Sequence, residues 1–223
     1  MVEKQLLDHL LAFVTENKRV KMERALDSRT RHLSIIVEDV YQPHNASAVI
    51  RSCDCFGIQD LHIIENKNKY KLNPDVSLGS SKWVDIIRHN ETENNTLSCI
   101  KRLKERGYKI IATTPHIKET PLETYDVTVK TALLLGNELE GLSQEAIDNA
   151  DGYLTIPMVG FTESLNISVT AAICMHYLTL RLHQSEINWK LTEEERVEIK
   201  LRWVKSIVNR SDLIEEEFYK SLK

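Results

Sequence analysis

Short apolar runs rich in β-branched residues recur along the chain: LSIIV (33–37), LHII (61–64), KIIAT (109–113), ALLLG (132–136) and YLTI (153–156). Stretches with helical spacing separate them. NASAVIRSCDCFG begins at Asn45, NNTLSCIKRLKERG at Asn94 and SQEAIDNA at Ser143. Each opens on a residue able to cap a helix N-terminus, and the first two close on glycine, so Asn45, Asn94 and Ser143 are expected caps. Strands that are apolar on both faces, alternating with helices, predict an α/β fold: a parallel sheet with helices on both faces.

The two ends carry a different pattern. Residues 1–31 read as two helices, and the chain from about Trp189 reads as further helices, with Thr192 and Glu195 spaced as a capping box. The expected organisation is a helical N-terminal arm (1–31), a central α/β domain (32–184) and a helical C-terminal extension (185–223). Between Asn17 and His32 the charges are Lys18, Arg19, Lys21, Arg24, Arg29 and Arg31 against Glu23 and Asp27. This local excess of cations is hidden in a net charge of −4. It is either an anion-binding surface or a solvated helix face.

Composition narrows the class. No run of eighteen apolar residues occurs, so no membrane span is expected. Glu3 and Asp8 interrupt the apolar pattern of the first helix, which argues against a signal peptide. Cys53, Cys55, Cys99 and Cys174 lack zinc-ligand spacing, so the expectation is buried reduced thiols, a cytoplasmic protein and no metal. Neither common phosphate-binding loop is present: no G-x-G-x-x-G and no G-x-x-x-x-G-K-[ST].

Three segments combine chemistry with position. In DVYQPHNASAVIRSCDC, Arg51 emerges from the helix that follows the first strand; such an arginine can grip a phosphate, or can pair with Asp54 or Glu38 on the surface. In LLLGNELEGLS (133–143) the strand breaks at Gly136 and turns through Asn137 and Glu138, and Gly141 is expected to permit a close backbone approach. In IPMVGFTESLNISVTAA (156–172), Thr162, Glu163, Ser164, Asn166 and Ser168 crowd into a few positions where one cap would suffice. All three lie at carboxyl ends of predicted strands, where open α/β sheets hold ligands.

In this order, the three segments resemble the signature motifs of the SPOUT methyltransferases, in their SpoU/TrmH branch. N-x-x-A-x-x-R is matched by Asn45, Ala48 and Arg51. L-x-x-G-N-E-x-x-G is matched through Gly136, Asn137, Glu138 and Gly141. I-P-M-x-G-x-x-x-S-L-N-x-S is matched through Ile156, Pro157, Met158, Gly160, Ser164, Leu165, Asn166 and Ser168. Within that branch, residues 27–58 and GSSKWVDI (79–86) look like the tRNA guanosine 2′-O-methyltransferases.

The resemblance implies a deep C-terminal trefoil knot, threaded by residues 156–168, that wraps S-adenosylmethionine. Cofactor contacts are then implied at Thr113, Gly136, Asn137, Ile156, Met158, Ser164 and Leu165. The crowded polar residues would satisfy an irregular buried backbone and line that pocket. Arg51 would be essential, either as general base or as the group that positions ribose and phosphate. Asn45 would hold Arg51 and the ribose, Glu138 and Ser164 would position arginine or RNA, and Asn166 would anchor the third motif. A homodimer with shared active sites is implied, with Lys18, Arg19, Lys21, Arg24, Arg29 and Arg31 gripping tRNA. The implied reaction is 2′-O-methylation of the D-loop guanosine at tRNA position 18. Methylation of ribosomal RNA or another tRNA position, or a catalytically silent RNA-binding module, are the alternatives.

Overall fold

A computed structural model describes residues 2–71, 73–114, 117 and 120–222. In chain order its elements are α1 (Val2–Leu11), α2 (Glu16–Leu26), β1 (Leu33–Glu38), α3 (Pro43–Cys55), β2 (Asp60–Ile64), α4 (Pro74–Ser77), β3 (Asp85–His89), α5 (Asn95–Glu105), β4 (Lys109–Thr113), β5 (Thr120–Pro121), β6 (Thr131–Leu135), α6 (Gln144–Asp148), β7 (Gly152–Thr155), α7 (Ile167–His183), α8 (Glu193–Ile207) and α9 (Ser211–Ser221). Contacts divide the chain into two compact units, Thr30–Trp189 and one built from both chain ends.

The larger unit is a parallel seven-stranded sheet in the order β3-β2-β1-β6-β4-β7-β5. Alternate residues of β1 enter opposite cores, as the pleat requires. Ile35 and Val37 pack with Val49, Ile50 and Cys53 of α3 and with Ala171, Cys174 and Met175 of α7. Ile36 packs with Cys99, Ile100 and Leu103 of α5 and Ala146 of α6. Helices therefore cover both faces. The two strands absent from the sequence reading are the sheet edges: β3 is half exposed and includes Arg88, and β5 is two residues long. Neither carries the continuous apolar run that marks a buried strand.

Capping follows the sequence with one correction. Asn94 accepts from the Leu97 N–H, Ser143 from the Ala146 N–H, and Thr192 with Glu195 forms the capping box. Asn45 does not cap α3. That helix starts at Pro43, whose fixed φ suits the first helical position, with Gln42 at the cap. Asn45 thus lies inside the first turn with its side chain free for tertiary contacts.

On the face shared with α5, His62 Nδ1 and His89 Nε2 lie 3.0 Å apart in a buried hydrogen bond. Burial pushes both imidazoles well below their ordinary pKa, each reinforced by nearby positive charge. Cys99 beside them is pushed up to about 12 by burial. Cys53, Cys99 and Cys174 are buried, and Cys55 departs from expectation in being exposed.

The smaller unit is helical. Leu6, Leu7 and Leu10 of α1 are buried, as are Trp203 and Val204 of α8. Arg196 bridges Glu23 at 3.2 Å and Asp27 at 3.0 Å, and Lys200 also bonds Glu23.

Candidate functional site

The carboxyl ends of β6, β4 and β7 open onto one hollow of about 540 Å³, closed on one side by the start of α7. β1 lies beside β6 and β6 beside β4, so chain-distant strands are neighbours there. Thr113, Gly136, Asn137, Ile156, Met158, Ser164 and Leu165 all border the hollow, as do Glu138, Asn166 and Thr170. Every residue assigned to a cofactor from the sequence therefore shares one cavity of ligand size.

The β6–α6 turn shapes one wall. Asn137 and Gly141 exchange backbone hydrogen bonds of 3.0 and 3.2 Å, and Asn137 Oδ1 accepts the N–H groups of Leu139 and Glu140. The close approach occurs at Gly136, not at Gly141. A Cβ on Gly136 would lie 2.2 Å from the Gly141 carbonyl carbon, whereas Gly141 supplies a φ of +73° with open space beyond.

Three motifs meet through side chains. Asn45, 3 % exposed, donates from Nδ2 to Glu138 and accepts at Oδ1 from Asn166 at 3.2 Å. The other Glu138 oxygen accepts the Tyr41 N–H at 3.1 Å. Asn166 also caps α7, taking the N–H and hydroxyl of Ser168 at 2.8 and 2.7 Å. One asparagine thus closes the helix and ties it to α3. The pattern fixes the Asn45 amide, because Glu138 can only accept there.

Arg51 stands apart from this cluster. It is exposed on α3, about 9 Å along the helix from Asn45 at 1.5 Å per residue. It makes no ion pair with Asp54, Glu38 or any other described carboxylate. Glu38 is instead buried and takes Thr96 Oγ1 at 2.5 Å and the Ser143 N–H and hydroxyl at 2.8 Å each. The ordinary surface ion pair is therefore not formed, and Asn45 does not hold Arg51 within this chain.

The 157–166 segment is also not the buried backbone expected. Most of it is exposed, with Val159 and Phe161 fully so, and among the described residues Thr162, Glu163 and Ser164 make no side-chain hydrogen bond. On α7, Val169, Ile173 and Leu180 form an exposed apolar stripe.

The basic arm divides by role. Lys18, Lys21 and Arg24 are exposed, while Arg19 is half-buried and donates to the Val14 carbonyl at 2.9 Å. Arg29 is buried, with its guanidinium 4.9 Å from the Trp203 ring centre. Arg31 forks to Asp60 at 3.2 Å and Asp85 at 2.9 Å.

Sequence reasoning missed Tyr41, Asp39 and Glu65 and placed Glu38 on the surface, whereas these three acids are buried and pin the loops around the hollow. Their signal was present: acids directly ending apolar strands, as in SIIVED and LHIIEN. Such groups need dedicated donors when buried.

Residues 32–176 match the model of the SpoU rRNA Methylase family. The tRNA (guanosine(18)-2′-O)-methyltransferase of Borreliella burgdorferi is 42% identical over 206 residues, 92% of this chain and 93% of that protein. The crystal structure of the A. aeolicus TrmH/SpoU tRNA modifying enzyme superposes with a TM-score of 0.76 at 32% identity, over 87% of this chain and 98% of that one. The SpoU methyltransferase AviRb from Streptomyces viridochromogenes, solved with S-adenosylmethionine, shares the fold at a TM-score of 0.60 and 22% identity, over 73% of this chain and 62% of that one. Among the described residues, no helix is long and apolar enough to cross a membrane.

Proposed function

Because the chain belongs to the SpoU methylase family, we propose that it methylates the ribose 2′-hydroxyl of guanosine 18 in tRNA, using S-adenosylmethionine. The observation that carries this is the Asn45–Glu138–Asn166 cluster at the edge of the hollow, which unites the three motifs.

The hollow suits a cationic cofactor without phosphates. Glu138 borders it, Glu140 beside it is paired with Lys67, and no lysine or arginine lines it among the described residues. That field favours a sulfonium and repels a nucleotide phosphate. Thr113, Gly136, Asn137, Ile156, Met158, Ser164 and Leu165 would hold the cofactor. When bound, it supplies an electrophilic methyl group.

The protein's contribution is positioning and charge. A ribose hydroxyl is a weak nucleophile and gains most from orientation beside a proton acceptor. Glu138 and Asn166 face the hollow with orientations fixed through Asn45, so little reorganisation is needed when RNA arrives. Arg51 is an exposed cation with no carboxylate partner among the described residues, available to an RNA phosphate and the reacting ribose. On this reading the 156–168 segment threads a trefoil knot and the enzyme is a homodimer. The apolar stripe of α7 and exposed Val159 and Phe161 support a second copy packing there, since helices apolar on all sides are usually covered. In that dimer Arg51 completes a shared site. Exposed Lys18, Lys21 and Arg24 fit sequence-blind contacts with tRNA phosphates.

Two ligands test the pocket. S-adenosylhomocysteine should raise the unfolding temperature and ATP should not. Protection by ATP alone would replace this reading with a nucleotide-binding one.

A further inference from the structure

The loop after β2 reads Asn66-Lys67-Asn68-Lys69-Tyr70-Lys71, with three cations and no acid. Buried carboxylates hold its backbone. Asp39, at a left-handed φ of 49°, accepts at Oδ1 the N–H groups of Asn66, Lys67 and Asn68 at 2.7, 2.8 and 3.2 Å. Its carbonyl accepts Asn68 Nδ2 at 2.9 Å. Glu65 accepts the Tyr70 N–H and is itself fixed by a fork from Arg88, at 2.9 Å on each arm, and by Asn90 at 2.8 Å. Bonds to ionised carboxylates are the stronger kind, so this frame is rigid. Asn68 and Tyr70 are half-buried, while Lys67, Lys69 and Lys71 between and beside them are exposed.

The loop lies along the edge of the site. At one end Lys67 pairs with Glu140 of the β6–α6 turn at 2.6 Å. At the other, Lys69 and Lys71 border a small hollow with Tyr41, whose N–H is bonded to Glu138. Glu140 offsets the charge of Lys67. Among the described residues, Lys69 and Lys71 form no ion pair. The field therefore changes sign over a short distance, from acidic within the hollow to basic on its rim. An acidic pocket alone would repel a polyanionic substrate, and a fixed basic rim offsets that.

We propose that Lys69 and Lys71 grip RNA phosphates flanking the target nucleotide, with the exposed ring of Tyr41 stacking on a base displaced from its neighbours. The inference rests on the RNA-methylating reading above and adds a second anchoring surface, distinct from the basic arm. Lysines contribute point charges that read no sequence, and an aromatic face suits any unstacked base.

The test is the double variant Lys69→Ala/Lys71→Ala with an unmodified tRNA transcript, measured by filter binding across a salt series and by steady-state kinetics. Both side chains are exposed, and circular dichroism checks the fold. Binding should weaken about tenfold near physiological salt, and the slope of log K against log salt should fall by about 1–2. KM for tRNA should rise more than kcat falls. Tyr41→Ala should weaken binding without changing the salt slope, and Tyr41→Phe should restore it. A double variant matching wild type in affinity, salt slope and KM overturns the grip. The two readings separate in the wild-type control: tRNA binding without methylation overturns the catalytic reading, while methylation with no difference in the variant overturns the grip alone.

Discussion

Asn45 and Glu138 stand 93 positions apart in the chain, yet the amide of one donates directly to the carboxylate of the other. The same amide accepts from Asn166 at 3.2 Å, so a single buried side chain aligns three strand ends. Glu138→Ala would leave the Asn45 N–H without its acceptor. The expected cost is about 1–3 kcal/mol in urea unfolding, with methyl transfer falling at least ~10-fold. Glu138→Gln keeps an oxygen acceptor and should recover most of the stability. Activity recovering in parallel would show that Glu138 acts only as a scaffold.

Arg51→Ala should behave in the opposite way. The side chain is exposed and makes no ion pair among the described residues, so stability should move by no more than about 0.5 kcal/mol. Methylation should fall about 10²-fold or more, with S-adenosylhomocysteine affinity near wild type. Retained turnover would remove Arg51 from the mechanism.

The arginines near the end of the basic arm should separate from its lysines. Arg31→Ala removes the cation shared by partly buried Asp60 and Asp85, leaving Asp85 the Gln59 amide, and should cost roughly 1–3 kcal/mol in stability. Lys18→Glu/Lys21→Glu should leave the unfolding midpoint nearly unchanged and weaken tRNA binding most at low salt. Equal stability losses in both variants would contradict this division.

Much of the site was legible because its chemistry is local in sequence. Gly136-Asn137 must turn where β6 ends, and either Ser164 or Asn166 must cap where α7 begins, so residue type and position announce each feature. What could not be read was which partner each polar group takes. Asn45 has the composition of a cap, but Pro43 two residues earlier starts the helix and releases it. Arg31 counts as one more cation in the sequence, and only the pairing of β2 with β3 reveals two aspartates around it. The five apolar strands announced themselves, whereas β3 and β5 are defined by a neighbour's backbone and carry little pattern of their own.

The His62–His89 pair sets a pH dependence of stability. Both folded-state pKa values are depressed by burial below the ordinary 6.5, so the unfolded chain binds more protons once pH falls below about 6.5. Their contribution is complete above that value and is lost on acidification. Stability should drop by on the order of 2 kcal/mol per histidine between pH 7 and pH 5, and His62→Gln should flatten that slope in urea titrations. An unchanged slope in the variant would place the acid sensitivity elsewhere.

The most direct test of the central claim uses purified protein, methyl-labelled S-adenosylmethionine and two tRNA transcripts. One carries guanosine at position 18 and the other 2′-deoxyguanosine there. The account predicts label in 2′-O-methylguanosine from the first and none from the second. Equal labelling of both, or label in a base rather than a ribose, would contradict it.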